Sequence, residues 1–413
     1  MAQVNFTLSN EEILQVLAGN RDESMRFLLE KIVNTILEAE SEEQLGAAKY
    51  ERSDERQGYR NGTRERELTT RIGTLTLHVP RHREEAFHTM IFDNYKRSEA
   101  SLIATMVQMV IAGVSTRKVS KVVETLCGKE FSKSTVSELC KRLDKEVNAF
   151  QNRRLDNIDA PFLMVDATYF KVREEHHCQG KAFMVALAVK SDGNREIVGF
   201  GVYDAEDNYS WRHFFDNLKD RGLNSVQMVI SDAHKSIRQA LANVYPAAAW
   251  QRCQVHLERN VLDIVPPKYK EAVKTTLEDM FNAETIEEAR TLKDALIEEY
   301  SDVAEKAMDL LESTFDDAMT IMCLPKYMRI ALRTTNILER LNREFKRRSN
   351  VIGIFPDSNS VTRLMGALAI EFNDVQISKQ RLFSETRFNM LRTDLTRQFK
   401  QIAKNQLTLL SAA

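Results

Sequence analysis

The sequence has little of several things that would decide its class at once. No apolar run approaches the roughly 20 residues that span a bilayer, so no membrane segment is expected. Cysteine is scarce: five in 413 residues (Cys127, Cys140, Cys178, Cys253, Cys323), odd in number and dispersed. That excludes a disulfide framework and fits the reducing cytoplasm. The opening MAQVNFTLSNEE is acidic rather than basic and then apolar, so no secretory leader is expected. Internal repeats and low-complexity segments are missing. A strong net charge is missing too: the formal value is −2, and the whole chain is no simple polycation. What is present, 43% hydrophobic and 29% charged residues, describes a soluble globular chain long enough for two or three domains.

The near-neutral total hides segregated charge. Residues 326–348 hold eight Lys/Arg against two Glu, whereas residues 278–317 hold fourteen Asp/Glu against three Lys/Arg. The acidic stretch reads as solvated helix faces, the basic one as a surface turned toward phosphates.

Residues 9–40 read as helices, opened by a capping box of Ser9 and Glu12. The apolar spacing of MRFLLEKIVNTILEAE suits either oligomerisation or packing on its own domain. The following Arg-rich segment, ERSDERQGYRNGTRERELTTRIGTLTLHVPRHR, has Gly58, Gly62 and Gly73 as turn formers and at most a short strand pair around 69–75. Its arginines, Arg60 and Arg64 among them, suit phosphate contacts or a solvated loop. Residues 98–147 read as three short helices, with Ser115 and Ser132 or Ser134 as N-caps. Their basic second and third members (Arg117, Lys118, Lys133) suit a helix-turn-helix, although plain three-helix bundles share the pattern.

Beyond residue 157 strands are expected at 162–172, 182–190 and 196–203, the last two joined by the turn Ser191-Asp192-Gly193-Asn194. A helix at 210–221, a strand at 226–234, the helix HKSIRQALANVY and the strand AAWQRCQVH follow. Three antiparallel strands and then alternating helix and strand is the order of an α/β ribonuclease-H-like core with a mixed sheet. Residues 261–324 read as all helix, 334–348 as a further helix, and a helical tail ends the chain. The expected divisions are an N-terminal helical segment (1–48), the Arg-rich segment (49–97), the helix-turn-helix-like region (98–150), the first part of the core (158–260), a helical insertion (261–325), the last part of the core (326–375) and the tail (376–413).

One strand carries a conflict. FLMVDATYFKV is apolar on both faces, as a central covered strand should be, yet holds Asp166 at its centre. An unpaired buried carboxylate costs several kcal/mol or shifts its pKa. Asp232 closes the apolar run of VQMVISDAH, at the carboxyl end of a strand, where α/β folds bind ligands. If the strands are neighbours, a divalent cation removes the conflict between the carboxylates, and hard cations such as Mg²⁺ leave positions open for phosphate. Glu339 is the best third carboxylate, on a helix face with Arg343 and Lys346; a Glu–Arg surface pair is the plainer reading.

In order, the stretches YERSDERQGYRNGTRERELTTRIGTLTLHVPRHR, GVSTRKVSKVVETL, MVDATYFKVR, NYSWRHFFDNLKDRGL, ISDAHKSI, WQRCQVHLERN and RTTNILERLNREFKRR resemble the Mutator-type transposases of bacterial insertion sequences. The resemblance implies an Asp-Asp-Glu transposase with Asp166, Asp232 and Glu339 as catalytic triad and as ligands of two Mg²⁺ (or Mn²⁺) ions. It implies a long helical insertion between the second Asp and the Glu. It implies DNA as partner, both terminal inverted repeats and target, and at least a homodimer, because two ends must meet. Arg340, Arg343, Lys346, Arg347 and Arg348 would position phosphates. A nuclease or junction resolvase would need the same carboxylates. A decayed DNA-binding regulator would not need all three.

Three further residues are candidate support. Cys253 and His256 form half of a zinc pattern that His176, His177 and Cys178 complete only with irregular spacing. His256 could instead orient phosphate or water, and Cys253 could pack in the core. Trp211 could stack on a base, or belong to the core.

Overall fold

The computed structural model describes residues 8–51, 56–70, 73–83, 86–89, 100–127, 131–175, 177–377 and 379–412. They divide into two units, 1–142 and 143–413.

In the first unit, α1 (Asn10–Ala18) starts at the expected capping box: Ser9 N donates to Glu12 Oε2 at 2.8 Å and Glu12 N to Ser9 Oγ at 3.3 Å. Helix α2 (Arg21–Leu45) ends at Gly46, whose φ of +64° is the left-handed stop that glycine adopts without strain. The Arg-rich segment forms a hairpin far longer than a short strand pair, β1 (Arg60–Thr70) against β2 (Gly73–His82). Its length follows from an apolar face: Leu68, Leu75, Leu77 and Val79 bury with Val33 and Leu37 of α2. Residues 71–72, within the expected strand pair, lie outside the described residues, as do Ser98 and residue 99 at the expected start of the next helix.

Helices α3 (Ala100–Ile111), α4 (Thr116–Cys127) and α5 (Lys133–Cys140) share one small core around Met106, Val119, Val123 and Val136. Ser115 and Ser132 cap α4 and α5 as expected, their Oγ atoms accepting from Lys118 N at 3.4 Å and Thr135 N at 3.0 Å. The third expected helix breaks after Cys140, and its second half, α6 (Leu143–Gln151), belongs to the other unit. There Asp144 takes a two-point contact from Arg363, at 2.6 and 2.9 Å. The divide therefore falls at 142, earlier than the expected 150.

The second unit is built on a five-stranded mixed sheet. Strands β3 (Phe162–Glu174), β4 (His177–Val189) and β5 (Arg195–Tyr203) run antiparallel. The β4–β5 turn is tight at Gly193, φ +81°, where an added Cβ would strike the Phe383 backbone. Helix α7 (Asn208–Asp220), strand β6 (Met228–Ser231), helix α8 (Lys235–Val244) and strand β7 (Ala249–Arg252) follow, and β3, β6 and β7 are parallel. The order across the sheet is β5-β4-β3-β6-β7, which puts β3 in the centre. The last strand is shorter than expected: the chain leaves the sheet before Cys253, and Gln254 already begins a helix.

Helices α9 (Gln254–Ile264), α10 (Lys270–Asn282) and α11 (Ile286–Ala318) follow; the last two fall within the stretch read as all helix, and the three are termed the insertion. It carries its own core, from Leu257 and Val261 through Leu277 and Leu311 to Met319, so it is a packed subdomain rather than a loop. Two short 3-10 turns, Pro267–Tyr269 and Thr320–Cys323, bracket its longer helices. Helix α12 (Lys326–Leu332) leads to α13 (Asn336–Ser349), then α14 (Ser358–Ile377) and α15 (Glu385–Ala412).

The end of the chain is no detached tail. Phe162 of β3 meets Phe383, Phe388 and Phe399 edge-on, with centroids 5.7–6.2 Å apart. Both edges of the sheet are closed by side-chain amides from these helices. Asn373 of α14 accepts from Ile197 N (2.8 Å) and donates to Ile197 O (3.1 Å) on β5. Gln406 of α15 does the same at Trp250 on β7, at 2.8 Å both ways. Each amide supplies the pair of hydrogen bonds that a further strand would, which leaves those edges poor templates for another chain.

Candidate active site

The register of the parallel strands brings the two aspartates together. Met164 of β3 lies beside Ile230 of β6. Asp166 and Asp232 each follow two residues later in their own chain segments, so they sit side by side where β6 ends, Asp166 still within the longer β3. Asp166 is half-buried, and that desolvation, with the repulsion of Asp232 added, raises its carboxyl from 3.8 to about 6. Its Oδ2 accepts from Asn342 Nδ2 at 2.9 Å and its Oδ1 from Ala167 N at 2.9 Å. Asp232 Oδ1 accepts from His234 N at 3.2 Å.

Helix α13 crosses this face. Leu338, Leu341 and Phe345 bury it, with Phe345 meeting Phe183 of β4 at 5.4 Å. Asn342 shares the buried side and keeps Oδ1 without a partner. Glu339, one turn earlier, is gripped by Arg259 of α9: Nη1 to Oε1 at 2.9 Å and Nη2 to Oε2 at 3.1 Å. His256 Nε2 stands 3.5 Å from the same Oε1. Glu339 is thus beside the aspartates but engaged elsewhere. Among the described residues no group of three His, Cys, Asp or Glu converges closely enough to hold a metal ion as it stands.

Cys253 and His256 act on this geometry from below. Cys253 is fully buried, and its Sγ accepts from both Thr335 N and Thr335 Oγ1 at 3.4 Å. Thr335 is the N-cap of α13, and its carbonyl takes Glu339 N at 2.9 Å. The thiol therefore pins the helix end that carries Glu339. Burial opposes ionisation of Cys253, but the contact and charge of His256 outweigh it and lower the thiol's pKa. His256 is raised in turn, chiefly by Cys253 against the pull of burial, then by Glu339 and Asp166. The thiol–imidazole contact is electrostatic more than a well-aligned hydrogen bond, since the buried Nδ1 finds no aligned partner. The zinc pattern does not assemble. Along the β3–β4 register His177 and Cys178 pair with Glu174 and Arg173, at the opposite end of the strand from Asp166, and His176 lies outside the described residues.

Trp211 is corrected to the core. It is fully buried against Phe214 and Phe215, with no face for a base to reach. The basic residues of α13 divide. Arg340, Arg343 and Lys346 are exposed and make no ion pair with the described residues, and Arg347 is exposed but held by Glu344. Arg348 is corrected to a structural role, fixed to Glu371 at 2.7 and 3.2 Å and to Glu344 at 2.6 Å. In the first unit, Arg64, Arg117, Lys118 and Lys133 are exposed. Arg60 instead donates to the Ala47 and Ala48 carbonyls just past α2, at 2.9 and 3.1 Å, which occupies its guanidinium.

Three site residues escape a sequence reading. Asn342 had a signal: a polar residue on the apolar side of an amphipathic helix, three after Glu339. Arg259, three after His256, had only its helical spacing. Glu206 had none. It lies in the β5–α7 connection, where Tyr169 Oη accepts from its backbone N at 3.3 Å, and burial together with Asp232 pushes its carboxyl up to about 7.

The family described as "Transposase, Mutator family" matches residues 1–378. The chain is 41% identical over 386 residues to the transposase for insertion sequence element IS256 in transposon Tn4001 of Staphylococcus aureus, covering 93% of this chain and 99% of that one. It is 38% identical over 374 residues to the transposase for ISRM5 of Rhizobium meliloti, covering 91% and 94%. It is 35% identical over 403 residues to the transposase for IS1081 of Mycobacterium tuberculosis, covering 97% of each.

Proposed function

The chain belongs to the Mutator family of transposases, and from that premise we propose that Asp166, Asp232 and Glu339 are its catalytic triad on a ribonuclease-H-like core. It is a DNA transposase. The observation that carries the triad is the pairing of Asp166, inside β3, with Asp232, just past the end of the adjacent parallel strand β6, and the Glu339 helix laid across them. The strand order β5-β4-β3-β6-β7, three antiparallel and then two parallel, supports the core assignment.

The side chains fit hard divalent cations. Burial first, and then the neighbouring Asp232, disfavour the charged form of Asp166, a conflict that positive charge relieves, and all the donors are oxygens. Asp166, Asp232 and Glu339 would hold two Mg²⁺ (or Mn²⁺) ions, which when bound activate the attacking oxygen and stabilise the leaving one. The chain's own residues supply the rest. Asn342 fixes the rotamer of Asp166, and Cys253 fixes the helix end that bears Glu339. Arg340, Arg343 and Lys346 present a cationic stripe to the DNA backbone next to the carboxylates. Cleavage is an in-line attack of water on a phosphodiester at the element end, releasing a 3′-hydroxyl. That hydroxyl then displaces a 3′-oxygen in target DNA, with no covalent protein intermediate. Helices α3–α5 recognise the terminal inverted repeats in helix-turn-helix fashion, with α5 and its Lys133 at the groove. The active species is at least a dimer, since two ends are joined to one target.

The test is a duplex carrying the element end with Mg²⁺ or Mn²⁺. Nicking at the end followed by joining supports the reading. Nicking without joining under either ion replaces it with a nuclease of the same core.

A further inference from the structure

The contact between Arg259 and Glu339 goes beyond what the proposed chemistry requires. The two residues lie 80 positions apart, one on the first helix of the insertion and one on the helix that returns from it. Both guanidinium nitrogens meet both carboxylate oxygens, the two-point geometry that orients a carboxylate as well as binding it. The contact occupies the edge of the carboxylate that would chelate a cation with both oxygens. Glu339 is thus engaged by Arg259, and among the described residues no group of three ligands converges around Asp166 and Asp232. The guanidinium is not buried: the Arg259 side chain is 55% exposed, against 21% for Glu339, so it is open to a ligand arriving from solvent. Arginine binds phosphate with the same planar fork that it offers carboxylate, and it keeps its charge throughout. Arg340 and Arg343, the neighbours of Glu339 in sequence, are exposed and unpaired with any described residue, so a DNA strand drawn to them passes this fork.

We propose that Arg259 is a catch on the active site. In the resting protein it occupies Glu339, and when a DNA phosphate takes the guanidinium, Glu339 is released to complete the cation site. Metal loading is thereby coupled to the presence of DNA, and Arg259 becomes a phosphate ligand in the loaded complex. The inference rests on Glu339 being the third ligand.

The experiment is a titration of the full chain with Mn²⁺ alone, without DNA, followed by calorimetry or by the Mn²⁺ paramagnetic signal. It compares wild type, Arg259→Ala, Arg259→Gln and Glu339→Gln, each first checked by thermal unfolding. Removing the catch should tighten Mn²⁺ binding by about fivefold, the strength of a well-formed exposed ion pair. The Gln variant should agree with the Ala variant, which guards against a folding defect in one of them. On element-end duplex at saturating Mn²⁺, Arg259→Ala should cleave roughly tenfold more slowly, for want of a charge-assisted phosphate contact. Unchanged or weaker Mn²⁺ binding in both Arg259 variants would leave Arg259 as a prop for α13 and overturn the catch. Tighter Mn²⁺ binding with undiminished cleavage would overturn the transfer to phosphate. Glu339→Gln should bind Mn²⁺ more weakly and fail to cleave; if it did neither, the triad itself falls, a result distinct from failure of the catch.

Discussion

Replacing Asp166 with asparagine should separate stability from activity. Burial and the charge of Asp232 raise the Asp166 carboxyl from 3.8 to about 6. Holding it ionised in the folded chain at neutral pH therefore costs up to roughly 3 kcal/mol relative to the unfolded chain. The sign follows from linkage. A carboxyl whose folded pKa is raised is neutral without penalty below 3.8, and its penalty grows as pH rises until it levels off above about 6. Asparagine removes the charge and keeps one oxygen to accept from Asn342, at the cost of the hydrogen bond that Asp166 takes from Ala167 N. Partial access to water trims the gain, so Asp166→Asn should be more stable than wild type by about 1–3 kcal/mol at pH 7.5 in chelator. For a unit of this size that is several degrees in Tm. Lowering the pH to 5 should shrink the advantage by about 1 kcal/mol, as wild-type Asp166 takes up its proton. Adding Mg²⁺ should shrink it again, because a cation that binds only folded wild type at 100 times its Kd stabilises by about 2.7 kcal/mol. The assay is urea unfolding followed at both pH values, with and without Mg²⁺. An advantage absent at pH 7.5 in chelator, or independent of pH and metal, would refute the view of Asp166 and Asp232 as a frustrated pair awaiting a cation.

Asp232→Asn and Glu339→Gln should each abolish cleavage in a gel assay while binding to element-end duplex stays within a few fold, since neither supplies a phosphate contact. Arg340→Ala, Arg343→Ala and Lys346→Ala should each lower the salt dependence of DNA binding by about one ion. Arg348→Ala should chiefly lower stability, by roughly 1.5–3 kcal/mol, because its charge is already spent on Glu371 and Glu344. Phe399→Ala should destabilise the second unit by about 3–5 kcal/mol in the same unfolding assay, as expected of a core residue and not of a tail. Glu206→Gln should flatten the rise in Mn²⁺ affinity between about pH 6 and 8 that ionisation of Glu206 beside Asp232 gives the wild type.

Much of the core was legible because its signals are local. The capping box at Ser9, the glycine turn at 191–194 and the apolar runs of β3, β4 and β5 each specify an element without help from distant residues. Asp166 was legible for the opposite reason, as a charge that its own strand cannot explain. What escaped was set by tertiary partners. The long β1–β2 hairpin exists because α2 covers one face of a sequence that is otherwise polar. Arg60 and Arg348 read as phosphate ligands because a sequence displays a charge and hides the carbonyl or carboxylate that has claimed it. Trp211, which the sequence left open between a base and the core, is decided for the core by its full burial beside Phe214 and Phe215.

The stretch WQRCQVHLERN shows how a short motif can serve a site without holding a ligand. Its first three residues, Trp250 to Arg252, end the last strand, where Trp250 is clamped by Gln406. Cys253 then leaves the sheet and takes the N-cap of α13 on its sulfur; His256, three residues on, faces Glu339, and Arg259, three further, grips it. The spacing of three is that of one helix face, so a single turn and a half of α9 sets the height, the electrostatic surroundings and the engagement of the third carboxylate. The insertion that follows is anchored by the same helix through Leu257 and Val261. A displacement of α9 would act through Cys253, His256 and Arg259 on Glu339. On this reading the insertion is a lever on the active site. A substitution such as Leu257→Ala, in the insertion core and away from the carboxylates, should then lower cleavage more than it lowers DNA binding.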